Sequence, residues 1–187
     1  MDDILERFFV AAGKAGWDVT RNDGPPAALP IEIAKRYPNI PQQFETFLRA
    51  FAKCTNKAGN AWFFCSDDLN RNDEDGWSWN GFESISLDAA DGDEDLVEET
   101  QSFWDRHLPI AYAVHSDYAF LAIVVSGDDQ GSIVYGYGPE FEESAETVTE
   151  SLSQYLSKLA NYISGAESVE YETSTGTCVL REFGDFL

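Results

Sequence analysis

The residue types most used in catalysis are sparse in this chain. Its two histidines, His107 and His115, are separated by Pro109 and lack the i, i+4 helical spacing that brings two imidazoles to one metal ion. The sequence contains no GxSxG, HExxH, Walker loop or GxGxxG at a strand-to-helix turn. We therefore predict no catalytic residues, and structural or surface roles for both histidines.

Carboxylates, in contrast, are abundant enough to raise the question of metal binding. Two acidic stretches, Asp67 to Asp75 and Asp91 to Asp95, have the composition of calcium loops. Neither has the regular alternation of oxygen ligands that ends in a Glu at the twelfth position. Paired carboxylates could also serve a hydrolase, but acids this frequent form pairs by chance. We expect no metal and no tightly bound cofactor.

The segment from Asp67 to Gly81 combines acids with two tryptophans. Trp77-Ser78-Trp79 follows the acids, and alternation would place both indoles on one face of a short strand. Aromatic side chains contribute most where a partner buries them, and surrounding acids steer a basic partner. In the alternative interpretation, both indoles fold back onto the core. The candidate partner-binding residues are Asp67, Asp68, Asp73, Glu74, Asp75, Trp77 and Trp79.

The net charge of −22 is concentrated in the later part of the chain. Residues 1–60 contain eight Lys and Arg against seven Asp and Glu, so the remaining residues carry −23. A field of this sign repels nucleic acid and anionic lipid and attracts cationic surfaces, which predicts a basic protein partner. Solubility alone is the alternative explanation.

Composition and length indicate one domain without a membrane span. The 187 residues are 43% apolar and 14% aromatic, which is enough for one core. The longest apolar run, Tyr118 to Val125, is far shorter than the ~18–20 residues that cross a bilayer. Acids directly after Met1 argue against a secretory signal, so we expect a cytoplasmic protein. Cys54, Cys65 and Cys178 are widely spaced, which predicts buried reduced thiols.

Hydrophobic periodicity predicts the elements that must position these residues. The strongest helical pattern follows Pro41 and ends at Phe51, with apolar residues at i, i+3, i+4 and i+7. Other predicted helices run from Asp2 or Asp3 to about Gly13, from Leu29 to Tyr37, from Asp93 to His107, and from a cap at Ser144 through Val148 to about Gly165.

Aromatic and β-branched runs predict the strands. Ala61 to Cys65 and the region of Phe82, Ile85 and Leu87 are short candidates. Residues 109–114, 118–125 and 132–137 predict an antiparallel meander at the sheet centre, and residues 169–180 predict a hairpin that extends the sheet or covers its edge. Helices, grouped strands and a further helix indicate an α+β fold. The predicted core includes Phe44, Phe47, Leu48, Phe51, Leu121, Ile123, Val134, Leu152, Leu156 and Leu159.

Several strings in this order resemble the SMI1/KNR4, or SUKH, superfamily. They are Leu29-Pro30 with the helix through Phe47-Leu48, Trp62-Phe63-Phe64, Asp117 to Leu121, Gly131 to Gly136, and the helix with Leu152, Leu156 and Leu159. The resemblance implies an α+β fold with a mainly antiparallel curved sheet flanked by helices, as a single domain over residues 1–187. Two features depart from the family: Asn56 and Gly59 are not adjacent, and residues 165–187 form a hairpin extension.

The resemblance also implies a function without catalysis. Bacterial members of the superfamily are frequently immunity proteins that bind and neutralise a toxin, and fungal relatives are regulatory scaffolds linked to cell-wall synthesis. The family supplies no catalytic residues. Together with the acidic charge, this predicts an immunity-type domain that occludes a basic toxin such as a nuclease, with a regulatory scaffold as the alternative.

Overall fold

The predicted meander forms the centre of a larger antiparallel sheet. The computed structural model of the chain describes residues 1–22, 24, 28–70, 78–115, 117–167, 171–173, 176–178 and 181–187. Within these residues, seven strands pair in chain order and every pairing is antiparallel. The strands are β1 Asp18–Arg21, β2 Phe51–Thr55, β3 Ala61–Phe63, β4 His107–Val114, β5 Tyr118–Val124, β6 Ile133–Tyr137 and β7 Glu146–Thr149.

Helices precede, interrupt and follow the sheet, which makes the fold α+β as predicted. The described helices are α1 Asp2–Lys14, α2 Ile31–Arg36, α3 Gln42–Ala50, α4 Ser66–Leu69, α5 Gly81–Ala89, α6 Glu94–Arg106, α7 Leu152–Ser164 and α8 Arg181–Gly184. Among the residues that the structure describes, no helix combines the length and apolar character needed to cross a bilayer.

The two faces of the sheet carry different helices. Successive side chains of a strand point to opposite faces, so Trp62 and Phe63 mark the two sides of β3. Phe63 contacts Phe8 of α1 and Phe47 of α3. Tyr112, which pairs with Trp62 in the register of the sheet, contacts Phe82 of α5 instead. Thus α1 and α3 cover one face, and α5 covers the other.

A hydrophobic core runs through both layers. All ten residues predicted for it are buried, Val134 being the most accessible at 4%. Helix α6 contributes Trp104, whose ring centroid lies 4.9 Å from that of Phe120 on β5. The predicted meander is confirmed, since β4, β5 and β6 pair in sequence.

The strand predicted around Phe82, Ile85 and Leu87 is wrong, because these residues lie in helix α5. Phe82 is completely buried, whereas Ile85 is 42% exposed and faces solvent. The hydroxyl of Ser84 donates a hydrogen bond to the carbonyl of Asn80, four residues back, as serine commonly does within a helix. Three apolar residues in a short run did not distinguish the period of a helix from the period of a strand.

The predicted start of the last long helix is also wrong. Helix α7 begins at Leu152, and Ser151 is its N-cap, accepting a hydrogen bond from the amide of Gln154. Ser144 instead bonds to both the amide and the carbonyl of Tyr137, at 2.8 and 2.7 Å. Val148, assigned to the helix from its spacing, lies in strand β7. β-Branched neighbours favour that extended conformation.

The C-terminal segment contains the predicted hairpin and a further element. Strands β8 Tyr171–Thr173 and β9 Gly176–Cys178 pair antiparallel in a separate two-stranded sheet, so the hairpin does not extend the main sheet, and its placement over the sheet edge stays a prediction. The chain then returns to the core through α8, where Phe183 stacks on Tyr155 of α7 with ring centroids 4.9 Å apart. Phe186 is fully buried against Phe63. The last residues are therefore part of the core.

The position of Gly136 on β6 leaves no room for a side chain. It pairs with Phe120 across the sheet, and an added Cβ would lie 2.6 Å from Phe120 Cζ and 2.9 Å from the carbonyl oxygen of Phe141. We expect Gly136→Ala to destabilise the fold by about 1–3 kcal/mol through overpacking, measured by urea unfolding. Gly13→Ala is the control, since an added Cβ there meets nothing within 4 Å in helix α1, and it should stabilise by about 0.5–1 kcal/mol. Equal effects from both would contradict this packing.

Candidate partner-binding surface

The predicted binding residues are only partly within the described chain. Residues 71–77 lie outside the described residues, and they include Asp73, Glu74, Asp75 and Trp77. Asp67 is exposed on helix α4. Asp68 is half-buried, and its Oδ2 accepts a hydrogen bond from the amide of Cys65 at 2.9 Å. Asp68 thus has a capping role at the start of α4.

Trp79 lies in a turn before α5, so its prediction as a strand residue is wrong. Its half-buried ring packs edge-on against Tyr37, with centroids 6.0 Å apart. The guanidinium carbon of Arg36 lies 5.9 Å from the same ring, and the carbonyl of Trp79 accepts a hydrogen bond from Tyr112. Of the two interpretations offered for this indole, packing onto the core describes it better.

A larger set of carboxylates lies where α5 ends and α6 begins. Seven acids are exposed there within twelve residues, and we call them the acidic surface. The turn between the helices uses left-handed backbone at Asp91 and Gly92, which brings the two helix ends together. The acidic surface consists of Asp88, Asp91, Asp93, Glu94, Asp95, Glu98 and Glu99.

No positive charge of the same segment balances the acidic surface. The sequence has no Lys or Arg between Arg71 and Arg106. Where ion pairs occur between described residues, they use other carboxylates, such as Glu6, Glu45 and Asp129. The field near the α5–α6 turn is therefore negative and unneutralised by the described side chains, which suits a cationic partner.

Part of the acidic surface has a local structural explanation. Asp93 is the N-cap of α6, and its side chain accepts hydrogen bonds from the amides of Asp95 and Leu96. Glu94 and Asp95 lie in the first turn, where negative charge complements the helix dipole. Glu98 and Glu99 lie beyond that turn. They form no ion pair with the described side chains, so their exposure is better explained by solvation or by binding than by helix capping.

A second acidic cluster, Glu140 to Glu146, supports the fold. The carboxylate of Glu142 accepts hydrogen bonds from Trp104 Nε1 at 2.5 Å and from the hydroxyl of Ser86 at 3.1 Å. It therefore joins the loop after β6 to helices α5 and α6. The dipole of the last long helix does not explain these acids, because α7 begins only at Leu152.

One buried ion pair fixes helix α2 to helix α5. Arg36 donates to both oxygens of Glu83, at 2.6 and 2.7 Å, and also to the exposed Asp105 at 2.8 Å. Burial alone would lower the pKa of Arg36, but its hydrogen bonds to Glu83 raise it above the ordinary value. The pair holds α5 in place, and so it positions the acidic surface indirectly. Sequence spacing could not reveal a contact between residues 47 positions apart.

The described side chains show no activated nucleophile among the cysteines. Burial raises the pKa of the Cys65 thiol to about 11, and burial also raises the pKa of Cys54. Both thiols are therefore protonated near neutral pH. His107 Nδ1 donates a hydrogen bond to the carbonyl of Phe103, and His115 lies between the Asn60 amide and the Asp185 carbonyl. Both histidines thus have structural contacts.

Metal ligands do not converge in the part of the chain that the structure describes. No group of three or more His, Cys, Asp or Glu side chains there is arranged to hold an ion.

Comparison with known protein families, curated proteins and solved structures found none that matches the chain.

Proposed function

We propose that the chain is a non-catalytic protein-binding domain whose acidic surface binds a basic protein. The observation that carries this proposal is the exposed run of carboxylates on α5 and α6, in a segment without Lys or Arg. Unpaired charge on a rigid two-helix support is suited to steering and orienting a cationic partner. A nucleic acid or an anionic membrane would be repelled by the same field.

The resemblance to SMI1/KNR4 proteins supports an immunity role for this binding. In that role the chain would neutralise a toxin by occluding its working surface, and a nuclease is the toxin class whose nucleic-acid site is basic. The second candidate is an intracellular regulatory scaffold related to the control of cell-wall synthesis. A toxin gene adjacent to the gene for this chain would favour the first candidate.

Capture from an extract of the native host tests the proposal with two charge-matched variants. The first variant removes three carboxylates of the acidic surface, through Asp88→Asn, Glu98→Gln and Glu99→Gln. The control removes three exposed carboxylates elsewhere, through Asp2→Asn, Asp3→Asn and Glu150→Gln. Asp2 and Asp3 begin α1, on the opposite side of the sheet from α5.

We expect the wild-type chain and the control to retain the same basic protein, identified by mass spectrometry, and the acidic-surface variant to lose most of it. The physical reason is that both variants lose the same net charge but only one loses charge at the proposed interface. Equal retention by all three proteins would place the interface elsewhere. A captured acidic protein would contradict the proposed partner class.

A further inference from the structure

A shallow groove of about 610 Å³, largely open to solvent, lies along the outer face of α6, and all of its lining residues belong to this helix or to His107 directly after it. Its lining includes Asp95, Glu98, Glu99 and Phe103, which follow the i, i+3, i+4, i+8 spacing of one helical face. The opposite face of the helix is buried through Trp104. The groove thus lies on the side of α6 that faces away from the core, and it contains three carboxylates of the acidic surface.

Aromatic rings form the apolar part of the groove. The half-buried ring of Phe103 stacks on the imidazole of His107, with centroids 4.0 Å apart and planes inclined by 20°. His107 Nδ1 lies 2.7 Å from the Phe103 carbonyl oxygen, which fixes the imidazole orientation. Phe103 also contacts Trp104 and Phe120 in the core. The groove therefore offers a preformed aromatic surface.

The charge within the groove is negative. Arg106 lines one end, but its guanidinium donates to the carboxylate of Asp129 at 2.8 Å and to the carbonyl of Ser126 at 3.3 Å. Burial lowers the pKa of His107 below its ordinary value, so the ring is neutral near pH 7. Asp95, Glu98 and Glu99 have no ion-pair partner among the described residues.

We propose that this groove is the docking site for an arginine-containing segment of the basic partner. A guanidinium can lie over the exposed part of the Phe103 ring, whose other face is covered by His107, while it donates hydrogen bonds to the carboxylates of Glu99 and Asp95 or Glu98. Arginine suits such a site better than lysine, because its planar group stacks on aromatic faces and binds carboxylates with two parallel bonds.

This inference rests on the proposed function and specifies which part of the acidic surface recognises the partner and through which side chain. Charge complementarity selects the occupant, since the carboxylates favour a cation and the aromatic ring favours a flat one. A purely electrostatic attraction would not require Phe103. Substitution of that ring therefore separates the inference from the more general proposal.

The inference is tested on the full chain by fluorescence anisotropy. The measurement compares its affinity for a labelled oligoarginine peptide with its affinity for an oligolysine peptide of the same length. We expect Phe103→Leu to weaken oligoarginine binding roughly 3- to 10-fold, because a cation–π contact contributes about that much. The same substitution should affect oligolysine less. Glu98→Gln with Glu99→Gln should weaken both peptides, and the control pair Asp2→Asn with Asp3→Asn should weaken them clearly less, although both pairs remove two charges.

The outcomes distinguish the inference from the proposed function. If the wild-type chain binds neither peptide, the acidic surface does not attract cations, and both proposals fail. If it binds them but Phe103→Leu has no effect, only the groove is wrong. If the two charge pairs have equal effects, the cations bind elsewhere, which contradicts the acidic surface as well as the groove. If the Phe103→Leu variant does not fold, NMR of the wild-type chain provides the test, through the ring signals of Phe103 and His107. Their shift on addition of oligoarginine supports the groove, and unchanged signals overturn it.

Discussion

Phe186→Ala is expected to reduce the free energy of unfolding by about 3–5 kcal/mol, which corresponds to roughly 6–20 °C in Tm for a domain of this size. Phe186 is completely buried and contacts Phe63, which also touches α1 and α3. Removing its ring loses apolar burial and leaves a cavity at the centre of that layer.

The adjacent residue provides the control for this substitution. Leu187 is 39% exposed, so Leu187→Ala should change the free energy of unfolding by about 0.5 kcal/mol or less. Urea unfolding of the two variants measures the difference. Equal and small effects would show that the C-terminal residues are a dispensable extension and that their packing against Phe63 is wrong.

Glu83→Gln is expected to cost about 3 kcal/mol, at the lower end for breaking a buried ion pair. The Glu83 side chain is 8% exposed, and loss of its charge leaves the guanidinium of Arg36 with one exposed carboxylate partner. Arg36 is itself 24% exposed, so water offsets part of the loss.

Asp105→Asn is the matched control, because Asp105 pairs with the same guanidinium but its side chain is 62% exposed. Exposed pairs contribute about 0–1 kcal/mol, so this variant should remain close to the wild-type stability. Chemical unfolding of both proteins measures the contrast. Similar losses from the two substitutions would contradict the assignment of Glu83 as the buried partner.

The sequence predicted the long elements well because their patterns are unambiguous. Phe44, Phe47 and Leu48 repeat with the period of a helix, and the β-branched runs of β5 and β6 suit only a buried strand. The α+β class and the central meander followed from these elements. Nine residues with a helical period sufficed to predict α3, and apolar runs of seven and five residues bounded by turns sufficed to predict β5 and β6.

Short elements were missed for physical reasons. Strand β2 follows α3 without a spacer, so Phe51 fitted the helical stripe although it begins the strand. Strand β1 is mostly exposed and carries little apolar pattern. Helix α5 has only three large apolar residues, and their spacings of three and two do not separate a helical from an extended period. Phe183 and Phe186 lie in and just after a four-residue helix whose burial depends on contacts far away in sequence.

The acidic surface lies outside the segment that the sequence analysis singled out for partner binding. The sequence pointed to acids next to tryptophans at residues 67–79, whereas the described structure places a base-free set of exposed acids at residues 88–99. A helix with acids in its first turns has an ordinary explanation through the dipole, so composition alone did not single out Glu98 and Glu99. The groove beside Phe103 became visible only from the packing of α6.

Stopped-flow measurement of the association rate with the captured partner, at two ionic strengths, tests most directly whether the acidic surface binds a basic protein. Raising the ionic strength from about 0.01 M to about 0.1 M shortens the Debye length from ~30 to ~10 Å, so the rate for the wild-type chain should fall by about tenfold or more. The acidic-surface variant should start slower and respond less to salt, and the variant with Asp2, Asp3 and Glu150 replaced should behave like the wild type.

The same measurement includes the acids and indoles predicted from sequence. Asp73→Asn with Glu74→Gln and Asp75→Asn should also slow association if those carboxylates steer the partner, whereas Trp77→Ala or Trp79→Ala should act on dissociation if either indole is a buried anchor. A rate that falls with salt and depends on the acidic surface is the predicted result. A salt-insensitive rate, identical in the wild type and in the acidic-surface variant, would contradict the account and leave these carboxylates as solubilising surface.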